Sequence, residues 1–307
     1  LELGATDMGY VKTRCAICGT FENSIEIFSE NIDSSSTTPE VFSARRLPDR
    51  RYYRWVRCRS CDLYRSDPVL DIDLDALYMK STLDYGSEIP GLKKTYGRLI
   101  QMALKPNNPC GHILEVGGGN GFFLEEAIRM GFDSVEGVEP SIAAVRMASP
   151  EIRKYMRVSM FDHNSVANNS ADVIAIFHTL DHLEQPSELL KTAYQKLRSG
   201  GKIVIAVHNA TAMSARVLKN RSPIFDIEHT YLFSPKTLRL ALETAGFENV
   251  VVRMYFNLYS LSYITHLLPI PNYLKKKILG SKFNNLLLKL KIWIPLGNLF
   301  AAGTKRC

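Results

Sequence analysis

No apolar run in the chain approaches the ~20 residues that a membrane-spanning helix needs, which excludes a helical span within these 307 residues. The opening residues, LELGATD, lack the basic stretch, apolar core and small-residue cleavage site of a secretory leader. They read as an appended segment ahead of a native start at Met8, and the expectation is a cytoplasmic protein. Cysteine is scarce, six residues in all. A chain of this size buries about 75% of its unfolded surface, so it has no need of disulfides to fold. Charge imbalance is small: 38 basic against 31 acidic residues leave a net +7. That excess suits an anionic substrate, RNA or a membrane surface, and equally none of these.

Four of the few cysteines are paired by spacing, as Cys15-Ala-Ile-Cys18 and Cys58-Arg-Ser-Cys61. Two CxxC knuckles brought together would offer four thiolates in a tetrahedron, the coordination that suits Zn²⁺, and no ligand position would stay open for chemistry. A structural zinc is the expectation. A redox role is less favoured, because the motif occurs twice with no thioredoxin-like pattern around it. Cys110 and Cys307 read as inert thiols. The stretch around the second knuckle carries Arg45, Arg46, Arg50, Arg51, Arg54, Arg57, Arg59 and Arg65, with Tyr52, Tyr53 and Trp55 interleaved. It reads either as a surface for RNA or a diphosphate or as a solvated strand face packed on aromatics.

Three regions separate. Residues 10–66 form the four-cysteine module, with a polar stretch at 34–39. Residues 67–110 are an acidic, turn-rich and then helical connector. From 111 to 307, apolar runs alternate with helical patterns, which argues for parallel βαβ units. Strands are expected at 112–116, 134–138, near 155–159, and at 172–177, 202–207 and 248–255, with LGNLFAAGTKR as the last. Helices fit at 121–130, 141–149, 186–198 and 235–245; Pro186 and Pro235 sit where a first helical residue tolerates proline. Residues 256–293, rich in Leu, Ile, Tyr and Lys, read as a helical insertion before the last strand. Its apolar face with lysines suits a core-packed lid, an oligomer contact or the surface of a membrane.

The turn after the first of these strands, ILEVGGGNGFF, carries Gly117, Gly118, Gly119 and Gly121. Glycines at a strand-to-helix turn let a ligand approach backbone N–H groups closely. A dinucleotide fingerprint needs Gly-x-Gly-x-x-Gly, and Phe122 holds the place of its third glycine. The pattern is instead Glu115-x-Gly117-x-Gly119-x-Gly121. This resembles the first motif of the class I S-adenosylmethionine-dependent methyltransferases. Glu139 at the next strand end, FHTLDHLEQP at 177–186, LRSGGKIVIAV and EHTYLFSPKTLRLALETAGF at 228–247 resemble further segments of that family, in order and at matching spacing. The resemblance covers about 110–255 and the final strand. It implies an α/β fold, a Rossmann-like seven-stranded sheet in the order 3-2-1-4-5-7-6, with the small zinc ribbon ahead of it.

It also implies site roles. Glu139 would accept the ribose hydroxyls of the donor, Gly117, Gly118, Gly119 and Gly121 would make room for its amino-acid tail, and Glu115 would order the ammonium. Pro140 follows the ribose acid, Met160 and Phe161 would flank the adenine, and Phe177 and His178 would face the methyl-transfer region. S-adenosylhomocysteine would be the product. Methyl transfer from a sulfonium is an in-line displacement in which alignment supplies most of the rate, and a base is needed only for a protonated acceptor. His229 and His178 are the base candidates, with His182 behind them and Asp181, Glu228 and Tyr231 as orienting groups.

A four-cysteine module ahead of such a core is similar to bacterial and archaeal methyltransferases acting on sugars, often nucleotide-linked. Glu228-His229 before Phe233-Ser234 matches the sugar C-methyltransferases of that group, whereas Ile227 stands where they carry another His and their second C-terminal domain has no room here. Zinc-ribbon ribosomal RNA methyltransferases are the alternative, though the knuckle spacing is long for them and no Asn/Asp-Pro-Pro-Tyr/Phe motif occurs. A non-catalytic scaffold docking on a membrane or partner through 256–293 is the third reading. The favoured acceptor is a small molecule or glycan precursor, ahead of nucleic acid.

Overall fold

The computed structural model describes residues 9–32, 51–73, 76, 77, 79, 86–104, 111–268, 270–281 and 284–307. Cys110, Arg45, Arg46, Arg50 and the polar stretch at 34–39 lie outside them. Five short strands come first: β1 (Tyr10–Val11), β2 (Ser24–Phe28), β3 (Trp55–Cys58), β4 (Tyr64–Ser66) and β5 (Val69–Leu70). Then follow β6 (His112–Val116), β7 (Ser134–Glu139), β8 (Met156–Val158), β9 (Ala171–Phe177), β10 (Leu197–His208), β11 (Tyr231–Leu232), β12 (Glu248–Ser260) and β13 (Lys291–Thr304).

Seven of these make one sheet in the order β8-β7-β6-β9-β10-β13-β12. β6 to β10 run parallel, and β13 is antiparallel to both its neighbours. In chain order this is 3-2-1-4-5-7-6, as the family resemblance implies. The central strands read ADVIAIF and KIVIAV because helices cover both faces, so every position must be apolar. Ile174, Ala175, Ile176, Ile203, Val204 and Ile205 are all fully buried.

The helices Phe122–Met130, Pro186–Lys196 and Pro235–Thr244 lie between strands as expected. Ser234 caps the last with a reciprocal bond to Thr237, satisfying two otherwise orphaned groups. The helix expected over 141–149 is two pieces, Ile142–Arg146 and Pro150–Arg153; Pro150 has no N–H to continue a helix and starts one instead. Helix Ile89–Ala103 crosses the sheet against β12. Gly91 is required there, since a Cβ would lie 2.2 Å from the Leu258 carbonyl oxygen.

β12 and β13 run well past the sheet as a two-stranded arm, pairing Leu258 with Trp293 and Ser260 with Lys291. The stretch 256–293 is therefore not helical throughout. Phe256–Ser260 and Lys291–Trp293 are rich in aromatic and apolar residues that suit a strand pair, and the helices Leu261–Leu267, Asn272–Leu279 and Asn284–Lys289 occupy the tip between them. Tyr273, Leu286 and Trp293 are exposed on this arm. Among the described residues no helix is long and apolar enough to cross a membrane.

The four-cysteine segment is built into the same body. Its sheet has the order β11-β4-β3-β2, and β11 comes from the far side of the sequence, pairing Tyr231 with Arg65 and Leu232 with Tyr64. Cys15, Cys58, Cys61 and Leu63 share one apolar core with Val116, Val138, Leu180 and Phe233. Tyr52, Tyr53 and Trp55 are buried, with Trp55 edge-on to Phe225. They are core residues rather than a stacking platform. The arginines between them are answered by carboxylates: Arg54 by Asp67 and Glu26, Arg57 by Asp62, Arg65 by Asp67.

Candidate functional site

The glycine turn leaves β6 at Val116 and doubles back beneath the end of β7. The N–H groups of Gly117 and Gly118 both donate to the Val138 carbonyl, at 2.8 and 3.3 Å. Gly117, Gly119 and Gly121 all have positive φ, 75°, 54° and 73°, which side chains disfavour. A Cβ on Gly117 would also strike Thr179 Oγ1 at 2.3 Å. Glu139 closes the turn. Its Oε2 accepts from Gly119 N at 2.8 Å and its Oε1 from Ser141 N at 2.9 Å. A carboxylate has about four lone-pair sites, so these two bonds orient it without using up its capacity for hydroxyls. Burial raises the Glu139 pKa above its ordinary value, against the two backbone bonds.

Glu115 lies inside this turn. It is wholly buried, and its Oε2 has no hydrogen-bond partner. Burial, and then the nearby Glu139, push its pKa well above the ordinary value. A buried carboxylate oxygen with nothing to accept from is costly, and an ammonium is the group that would relieve it. Gly117, Pro140, Met160, Phe161 and Thr179 line a cleft of about 330 Å³ beside the turn. Orphan acceptor, glycine cradle and cleft together fit the tail, ribose and base of S-adenosylmethionine. Phe177 does not line this cleft. Its ring stacks on Tyr96 with centroids 4.2 Å apart and meets Phe123 edge-on, in the apolar layer under the sheet.

Next along the strand ends lies a cluster that the sequence reading caught only in part. β9 delivers His178, Asp181 and His182; β10 delivers His208; the loop before β11 delivers His229. Successive rings sit 4.6–4.7 Å apart, in the order His178, His208, His229, His182. Asp181, with no exposure, is at the centre. His208 Nδ1 donates to Asp181 Oδ2 at 2.6 Å. Burial alone would raise the Asp181 pKa, but the charge and hydrogen bond of His208 hold it well below the ordinary value. His229 Nδ1 donates to the Ile224 carbonyl at 2.9 Å, and burial, then the neighbouring imidazoles, keep its pKa well below the ordinary value. His178 has φ 51°, rare without a glycine, and its Nε2 lies 3.0 Å from Tyr255 Oη.

His229, in the connector before β11, sits buried within the cluster, while His178 and His208 are more accessible. Thr179, next to His178, lines the donor cleft. His208 and Tyr255 escaped the sequence reading. Each is an isolated residue at a strand end, and only the sheet order brings them to Asp181 and His178.

The cysteines form the third group. Their four sulfur atoms lie within 4.8 Å of one another, with Cys15–Cys61 and Cys18–Cys58 both at 3.4 Å. The two knuckles repeat one backbone design. Gly19 N donates to Cys15 O and Asp62 N to Cys58 O; Cys15 N donates to Thr20 O and Cys58 N to Leu63 O. Gly19 and Asp62 take matching positive φ, 72° and 68°. Four soft donors converging on one point fit a structural Zn²⁺. A hydrogen bond from Cys61 lowers the Cys15 thiol to about 4. A groove of about 730 Å³ runs between this module and the main sheet, with Lys12 and Arg14 on its module side, and it shares Glu184, Gln185 and Glu188 with the donor cleft.

A methyltransferase-domain family matches residues 90–252, more than half of the chain. A tRNA U34 carboxymethyltransferase of Helicobacter acinonychis is 29% identical over 101 residues, which cover 30% of this chain and 38% of that protein. The chain thus spans well under half the length of that relative. Among solved structures, a SAM-dependent methyltransferase from Archaeoglobus fulgidus is 23% identical with a TM-score of 0.49, covering 72% of this chain and 95% of that one. A SAM-dependent methyltransferase from Thermotoga maritima, a possible histamine N-methyltransferase, is 17% identical with a TM-score of 0.48, covering 71% and 91%.

Proposed function

The chain belongs to the methyltransferase-domain family, and from that membership we propose that its S-adenosylmethionine-dependent methyl transfer is directed at a sugar or glycan-precursor acceptor. One observation carries the reading: a buried carboxylate holds a histidine 2.6 Å away, beside the donor cleft. A hydroxyl acceptor arrives protonated and needs such a base. The groove beside the four-cysteine module supports an acceptor larger than a single small metabolite, and its Lys12 and Arg14 suit an anionic group such as a diphosphate.

S-adenosylmethionine supplies an activated methyl group. Glu139, Glu115 and the glycine turn would hold its ribose and amino-acid tail, and Met160 and Phe161 would pack its adenine. Asp181 keeps the Nδ1 proton of His208 in place, so Nε2 faces outward as the proton acceptor. That nitrogen would take the acceptor hydroxyl's proton as the methyl leaves the sulfonium for the same oxygen, with S-adenosylhomocysteine as the other product. His178, anchored by Tyr255, positions the acceptor. Zn²⁺ held by Cys15, Cys18, Cys58 and Cys61 would fix the wall of the groove.

Labelled methyl transfer to a panel of nucleotide sugars tests this. His208→Ala should lose about 100-fold or more in kcat, the usual contribution of a general base, with S-adenosylhomocysteine binding unchanged. Methylation of RNA and of no sugar would overturn the acceptor class. Tyr52, Tyr53 and Trp55, the rings on which bases would stack, are buried, which weighs against RNA.

A further inference from the structure

We propose that Asp181, His182 and His229 form a second metal site, for a divalent first-row transition ion, separate from the four cysteines. Three donor atoms from these residues lie within 4.8 Å of one another. The orientation of the rings is what distinguishes them from a chance group. His182 Nδ1 donates to the Glu228 carbonyl at 3.1 Å, and His229 Nδ1 donates to the Ile224 carbonyl at 2.9 Å. Each imidazole is thus oriented by a backbone acceptor on its Nδ1. This is the outer-shell arrangement that prepares a metal-binding histidine. His182 Nε2 lies 3.9 Å from Asp181 Oδ1.

Asp181 supplies the second, independent sign. It is entirely buried, and its Oδ1 has no hydrogen-bond partner. Its other oxygen accepts from His208 at 2.6 Å, so the carboxylate is oriented with one oxygen satisfied and the other 3.9 Å from His182 Nε2. Two imidazoles and one carboxylate select transition ions over Mg²⁺ or Ca²⁺. The triad formed by His178, Asp181 and His208 is a weaker candidate, because the His208 proton already occupies the space between its ring and Asp181. The proposed ion would tie the turn after β9 to the loop that enters β11, and so to the module sheet.

Cobalt titration of the metal-stripped 307-residue chain tests the proposal. It should bind about two equivalents of Co²⁺: one with intense thiolate charge-transfer absorption, one with only weak nitrogen and oxygen ligand-field bands. His229→Gln and Asp181→Asn should each remove the second spectrum and leave the thiolate band, which also reports that the fold is intact. His182→Ala serves as a third variant should either fail to fold. A folded wild-type protein that takes one equivalent with a purely thiolate spectrum overturns the proposal. So does a second equivalent that survives all three variants. Neither outcome depends on which acceptor the enzyme methylates.

Discussion

At the scale of residues, Glu115 carries the cost of the donor site. A carboxyl with raised pKa favours the native state below its ordinary value of 4.5 and loses that contribution as pH rises toward its folded value. Above that window the protein holds a charge it would rather not bury. Glu115→Gln should therefore raise the stability of the cofactor-free protein near neutral pH by about 1–3 kcal/mol, and flatten its decline above pH 4.5. The same change removes a charged partner for the donor's ammonium and should weaken S-adenosylhomocysteine binding by about tenfold or more. Thermal melts across pH, paired with calorimetry, check both halves; a variant that is neither more stable nor weaker in binding contradicts the assignment. The sequence shows Glu115 and Glu139 because their spacing to the glycines is local. His208 stays hidden because its partner is 27 residues away, and the crossover between β9 and β10 alone joins them.

At the scale of elements, β11 is the join. Its two residues add a strand to the four-cysteine sheet, Ser66 Oγ donates to the His229 carbonyl at 3.0 Å, and Tyr231 Oη donates to Arg14 O at 2.6 Å. A chelator strong enough to strip thiolate-bound zinc should lower one shared unfolding transition, since a structural zinc contributes roughly 10–16 kcal/mol of apparent folding energy. Differential scanning calorimetry reads this directly. Two separate transitions, with only the lower one moved by the chelator, would show the module to be independent. The knuckles are legible in the sequence as CxxC pairs, and the central strands as apolar runs. A two-residue strand such as Tyr231–Leu232 leaves no periodicity to read, and the arm formed by β12 and β13 reads as helix because its outer half is not covered by the sheet.

At the scale of the whole molecule, three residue groups come together: the cleft at the ends of β6 and β7, the histidine cluster that follows β9 and β10, and the four cysteines, whose sheet β11 completes. The groove by the module and the cleft beside the glycine turn share Glu184, Gln185 and Glu188, so the two are adjoining on the proposed reading. The central claim is that the glycine turn with Glu139 binds the methyl donor. Isothermal titration of S-adenosylhomocysteine into the wild type, Glu139→Ala and Gly119→Arg tests it most directly. The wild type should bind one equivalent saturably, Glu139→Ala should bind about tenfold or more weakly, as loss of a charged acceptor implies, and Gly119→Arg should not bind. Equal binding by all three proteins would place the donor elsewhere and contradict the account.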